Sequence, residues 1–199
     1  MTVEPERRFL IIHGVENHRP PGHWQHHLAE LLRADGEIVL YPQLPDADSP
    51  HLDRWLTLLA AELAQLGRGE RVVICHSLAC LLWMHHATSA TAAQAVDRVL
   101  LVSPPSATQL WPAIQHFAPP PEVNREHLGR AARSETRVIA SSADPYCPES
   151  AERLYAAPLG LAIDVIETPG HFSESDGYGP WPSLYDWCRD PTTRIRANR

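Results

Sequence analysis

The sequence lacks any apolar run long enough to span a bilayer, so no membrane-embedded segment is expected. It also lacks a basic run ahead of the short tail Arg194–Arg199, which is expected to fray. With a formal charge of -7, the chain is not expected to bind nucleic acid. Its four cysteines, Cys75, Cys80, Cys147 and Cys188, show no C-x-x-C spacing, and reduced thiols are the default. The segment Met1–Arg8 carries acidic residues and no signal-peptide apolar stretch, which points to a cytoplasmic protein. No repeat, low-complexity tract or linker divides the chain. One domain over residues 1–199 is expected, long enough for a hydrophobic core.

What the chain does have is alternation. Short runs rich in Val, Ile and Leu predict strands at Phe9–Ile12, Ile38–Tyr41, Val72–Cys75, Val99–Val102, Val138–Ser141 and Ile163–Ile166. Each is nearly continuous in apolar residues, as in strands buried on both faces of a parallel sheet. Helical spacing lies between them, at Trp24–Arg33, Leu52–Leu66, Leu78–Thr88, Pro148–Ala156 and Trp181–Cys188. The pattern predicts a three-layer α/β fold: about six mostly parallel strands, helices on both faces and right-handed crossovers. The proline-rich segment Ser103–Arg133 breaks the rhythm. It reads either as a cover over a site or as a surface loop with one short helix.

The run Val72-Val73-Ile74-Cys75-His76-Ser77-Leu78-Ala79 feeds a serine directly into a helical pattern. That is the layout of a nucleophile elbow, in which a strained turn exposes the hydroxyl and leaves the next backbone N–H free. The glycines of G-x-S-x-G are missing: Cys75 and Ala79, both small, stand in their places. The alternative role for Ser77 is an ordinary N-cap. A serine nucleophile needs a base, and the base needs an orienting acid. Asp144 follows the fifth strand and His171 the sixth, in the order nucleophile, acid, base. Open parallel sheets gather such strand ends at one edge. Asp144 alternatively forms an Asp-Pro turn, His171 is one of twelve histidines, and Asp164, Asp176 and Glu174 are rival acids. The Leu78 and Val15 amides are the expected oxyanion donors, with Glu16 as alternate. His13, Gly14, Leu110, Trp111 and Phe117 are candidates to contact substrate.

Several blocks resemble the small α/β-hydrolases related to retinoblastoma-binding protein 9. They are His13-Gly14 with His23-Trp24, Pro42-Gln43-Leu44-Pro45, His76-Ser77-Leu78 and Ser103-Pro104-Pro105. Asp144-Pro145-Tyr146-Cys147-Pro148, Gly170-His171-Phe172 and Gly177-Tyr178-Gly179-Pro180-Trp181-Pro182 complete the set. The resemblance implies a minimal hydrolase with little or no lid, a triad of Ser77, Asp144 and His171, and esterase-like activity without metal or other cofactor. The partner would be a small-molecule ester or amide. Family members commonly keep glycine where Cys75 and Ala79 stand.

Two rival readings remain. His13, His18, His23, His26, His27, His85 and His86 offer imidazoles for a metal, with His23 and His27 at i, i+4, but no H-E-x-x-H or Cys/His framework accompanies them. A non-catalytic binding module on the same scaffold would use tryptophans such as Trp24, Trp111 and Trp181 as its surface.

Overall fold

The computed structural model describes residues 7–198. The acidic N-terminal segment up to Glu6, and Arg199, lie outside the described residues. Six strands form one sheet: β1 (Arg7–Ile12), β2 (Ile38–Leu40), β3 (Glu70–His76), β4 (Val96–Val102), β5 (Ala132–Ala143) and β6 (Ala162–Pro169). Their order is β2-β1-β3-β4-β5-β6, and every pairing is parallel.

Strand periodicity assigns the faces. On β1, Leu10 and Ile12 enter one core while Phe9 and Ile11 enter the other. Helices α1 (Trp24–Ala34) and α6 (Pro182–Arg189) cover the Phe9 face, through Trp24, Leu28, Leu32, Leu184 and Trp187. Helices α2 (Leu52–Gln65), α3 (Leu78–Ser89) and α4 (Arg125–Ala131) cover the other. Helix α3 is buried on nearly all sides, which explains why its sequence is apolar all round.

The chain runs from β1 outward to β2, then returns to β3 on the other side of β1. The crevice beyond the C-terminal ends of β1 and β3 is therefore the topological switch point, where open sheets of this kind bind ligands.

Three expectations need correction. Pro148 does not open a helix, because the backbone from Asp144 to Ser150 is folded into successive turns (Cys147 N–H to Asp144, Ser150 N–H to Cys147). Helical structure there is a π-helical turn, Glu152–Ala156, running into α5 (Ala157–Leu159). The tail does not fray as far as Asn198. Ile195 is buried, and the Arg196 carbonyl accepts hydrogen bonds from Trp181 Nε1 (2.7 Å) and Ser183 Oγ (3.1 Å). The segment after β4 is more structured than a surface loop with one short helix, and its Leu110, Trp111 and Ile114 line a cavity over Ser77, as a cover over a site would. It holds short 3-10 turns at Ala107–Gln109 and Pro112–Phe117, then α4. Ile114 and Phe117 are buried in the core. Tyr155 Oη donates to the Pro105 carbonyl (2.5 Å), Ser106 N–H to the Tyr146 carbonyl (2.8 Å) and Thr108 Oγ1 to Glu149 (2.7 Å).

Candidate active site

Ser77 occupies the turn between β3 and α3 with φ 56° and ψ -126°, a conformation costing a non-glycine residue about 1–3 kcal/mol. The surroundings hold it there: Ser77 N–H donates to the Val102 carbonyl and Cys80 N–H to the Ser77 carbonyl, both at 2.9 Å. Its hydroxyl does not cap α3. Instead Oγ lies 2.8 Å from Nε2 of His171. Cys75 and Ala79 are both buried around this turn. The loop after β1 also passes close by. A Cβ on Gly14 would stand 2.7 Å from Ser77 Cβ and 3.2 Å from its Oγ, so glycine is required at that crossing.

The carboxylate of Asp144, just beyond β5, lies 2.8 and 2.9 Å from Nδ1 of His171. Asp144 Oδ1 also accepts the Tyr146 N–H (2.9 Å). All three side chains are buried. The rival acids are placed elsewhere. Asp164 pairs with Arg137 and Arg194 and accepts the Ile195 N–H. Glu174 lies over Gly22. Asp176 reaches His171, but through the main chain: its Oδ2 accepts the His171 N–H (2.8 Å), the Ser173 N–H (2.9 Å) and the Ser173 hydroxyl (2.7 Å).

Two further imidazoles, His76 and His23, adjoin the site. His76 donates from Nε2 to the His171 carbonyl (2.9 Å), and its ring lies 5.1 Å from that of His171 and 5.3 Å from that of His23. Burial, with smaller contributions from neighbouring histidines, lowers the pKa of His23 to about 4 and that of His76 well below its ordinary value. Both rings are neutral at pH 7.

A cavity of about 900 Å³ opens over Ser77 and His171. Its lining joins the apolar side chains of Leu78, Pro105, Leu110, Trp111, Ile114 and Tyr146 with polar ones that include Asn17, His18, Ser173 and Glu174. Trp111 and Tyr146 are 38% and 47% exposed, so two of the three exposed large apolar side chains among the described residues flank this one opening. Gly14 and Val15 also line it.

Two expected contact residues do not. His13 is fully buried: Nδ1 donates to the Gly14 carbonyl (2.7 Å) and Nε2 accepts the Leu44 N–H (2.8 Å), so the ring ties two loops together. Phe117 is also fully buried, edge-on to Trp55 in the core. Of the expected oxyanion donors, the alternate is removed, because Glu16 N–H donates to the Ala47 carbonyl (2.8 Å). Leu78 is the first residue of α3, where an amide has no intrahelical acceptor.

Among the described residues no group of three or more His, Cys, Asp or Glu side chains is placed to hold a metal. His23 caps α1 and turns toward Trp24 and His76, whereas His27 lies against His26. Trp24 and Trp181 are buried against each other, not displayed. The four cysteines are free and buried, and burial pushes the thiols of Cys147 and Cys188 up to about 12. No helix among the described residues is long and apolar enough to cross a membrane.

The hydrogen bonds of His76 and Asp176 to the His171 main chain escape sequence reasoning. The available signals were the residue directly before Ser77, and an Asp-Gly pair five residues after His171.

Comparison with known proteins places this geometry in context. The Bacillus subtilis (strain 168) protein YdeN is 26% identical over 181 residues, covering 90% of this chain and 93% of that protein. Its crystal structure superposes with a TM-score of 0.75, at 25% identity over 91% of this chain and 95% of that one. A Pectobacterium atrosepticum protein described as YdeN-like gives a TM-score of 0.69 at 19% identity, covering 92% and 90% of the two chains. A thioesterase domain from the curacin biosynthetic pathway shares the fold, with a TM-score of 0.63 at 16% identity over 94% and 91% of the chains. The model of the serine hydrolase family matches residues 9–189, nearly the whole described chain, and the protein therefore belongs to the serine hydrolase family on an α/β-hydrolase fold.

Proposed function

We propose that this protein cleaves small or medium carboxylic esters, and secondarily amides, through an acyl-enzyme on Ser77. The observation that carries the reading is the buried chain of hydrogen bonds from Ser77 Oγ through His171 to Asp144, opening onto one cavity. His171 Nε2 takes the Oγ proton as the serine attacks the acyl carbonyl, then returns it to the leaving group. Asp144 holds the Nδ1–H tautomer and stabilises the imidazolium. The Leu78 and Val15 amides receive the oxyanion, and the N-terminal end of α3 adds a favourable dipole. Water activated by His171 then releases the acid. The apolar lining around Leu110 and Trp111 suits the acyl group.

We further read residues 1–199 as one catalytic domain of a cytoplasmic protein acting on a small molecule. The Gly177–Pro182 block supports kinship with the retinoblastoma-binding protein 9 group. The test is labelling with a fluorophosphonate, wild type against Ser77→Ala, with the adduct located by mass spectrometry. A series of p-nitrophenyl esters of rising acyl length then gives kcat and KM. The expected outcome is an adduct on Ser77 that is absent in the variant, with turnover lost in parallel. A folded wild-type protein that takes no adduct would overturn the reading and favour a binding role.

A further inference from the structure

We propose that His76 and Asp176 are positioning residues that hold the main-chain carbonyl and N–H of His171 and so fix the reach of its imidazole to Ser77. The inference rests on the role given to His171 above.

His171 lies beyond the end of β6, where no strand ladder holds the backbone. Both of its main-chain polar groups are nevertheless bonded, and each to a side chain. The N–H donates to Asp176 Oδ2 (2.8 Å), and the carbonyl accepts Nε2–H of His76 (2.9 Å). The contacts of His171 with Ser77 and Asp144 set the rotation of the ring. These two bonds set where the ring starts from.

Each arm of the grip is itself fixed. His76 is the residue directly before Ser77, so its bond measures the base against the nucleophile across a single peptide. Its ring is buried against Trp24, edge-on at 5.5 Å, and His23 at 5.3 Å. A neutral imidazole has one N–H, and the acceptor at Nε2 is a carbonyl, so the proton must sit there. Asp176 is held by the Ser173 N–H and hydroxyl across a one-turn helix, Glu174–Asp176. Its carboxylate presses on Gly170 (φ +103°), where a Cβ would lie 2.5 Å from Asp176 Cγ. Gly170 N–H in turn donates to the Ala143 carbonyl, beside Asp144 (3.2 Å). The turn carrying His171 is thus referenced to the nucleophile, to the acid and to its own downstream segment.

The test uses four variants of the full chain: His76→Leu and Asp176→Ala, which remove the bond, and His76→Gln and Asp176→Asn, which keep a donor or acceptor at similar reach. With p-nitrophenyl acetate, the first pair should lose about 10- to 100-fold in kcat, the penalty of an ångström-scale misplacement, with KM nearly unchanged. The second pair should recover most of that loss at matched thermal stability. A second readout needs no turnover: the hydrogen-bonded His171 Nδ1 proton in the NMR spectrum should persist in wild type, Gln and Asn variants and move or broaden in the Leu and Ala variants. Folded Leu and Ala variants with wild-type kcat and an unmoved Nδ1 proton would overturn the proposal. So would Gln and Asn variants as impaired as Leu and Ala. Should His76→Leu misfold, Asp176→Ala, at an exposed position, carries the decision. A wild-type protein unlabelled at Ser77 would sink the proposed function, while the NMR comparison would still decide the grip.

Discussion

Acid should unfold this protein well above the pH at which most carboxylates protonate. Four histidines, His13, His23, His76 and His86, are buried uncharged. Burial is the leading cause in each case. It lowers His13, His23 and His86 from 6.5 to about 4, and His76 well below its ordinary value. In the unfolded chain each imidazole takes a proton as pH falls through about 6.5. In the folded protein none does so before about pH 4. Between those values the unfolded state binds more protons, so stability rises with pH. It is fully present above about 6.5, declines through the window, and the loss is complete near pH 4. At pH 5 His13, His23 and His86 each cost about 2 kcal/mol, together about 6 kcal/mol, and His76 adds to this, against a total stability of about 5–15 kcal/mol for a typical domain. Urea unfolding followed by circular dichroism between pH 7.5 and 4.5 measures this directly. Near pH 5 the slope from the three histidines held to about 4 should approach about 4 kcal/mol per pH unit, about three protons, with His76 adding to it. His86→Leu isolates one of them. The ring lies tilted against Trp83 within α3, away from the cavity, and its buried Nε2 has no hydrogen-bond partner. The variant should gain about 1–3 kcal/mol at pH 7 by removing that unpaired atom, and the slope should fall by about 1 kcal/mol per pH unit. An unfolding free energy that stays constant from pH 7 to 5 would refute the reasoning.

Two further substitutions separate the site from the scaffold. Gly14→Ala puts a Cβ 2.7 Å from Ser77 Cβ and 3.2 Å from the His76 carbonyl, so backbone must move at the elbow. Labelling of Ser77 should slow about 100-fold, and labelling at the wild-type rate would contradict the close approach. Arg98 is buried, donating to Glu70 (2.6 Å) and to the Trp187 and Cys188 carbonyls at the end of α6, with its guanidinium over the Trp187 ring. Arg98→Met should cost about 3–5 kcal/mol, read as a lower thermal midpoint with the Ser77 labelling rate kept below it; an unchanged midpoint would show that α6 does not depend on this arginine.

The sheet was legible in the sequence because each central strand is buried on both faces, which leaves little room for polar residues in runs such as Val72–Cys75 and Val99–Val102. Residues closing those strands were legible for the same reason. In a parallel sheet every C-terminal end falls on one edge, so Gly14, Ser77, Asp144 and His171 converge although His171 lies 94 residues from Ser77. What sequence could not reveal is which way a side chain turns once it reaches that edge. His13 follows β1 as Ser77 follows β3, yet its ring points inward and bonds Gly14 and Leu44 instead of meeting the cavity. Phe117 reads like Trp111, but the 3-10 turn between them buries one against Trp55 and leaves the other at the cavity mouth.

Asp176 shows the same limit from the other side. As a carboxylate near His171 it competes with Asp144 for one role, and spacing alone cannot rank the two. The difference is the atom each one meets: Asp144 meets Nδ1 of the ring, Asp176 the peptide N–H. A carboxylate on the ring stabilises an imidazolium as it forms, which is a change in charge during the reaction. A carboxylate on the peptide meets the same N–H before and after proton transfer, so it contributes through geometry. Asp144→Asn should therefore depress kcat far more than Asp176→Asn, even though both substitutions remove one negative charge near the same histidine. Equal losses in the two variants would mean that net charge, and not the atom contacted, governs His171.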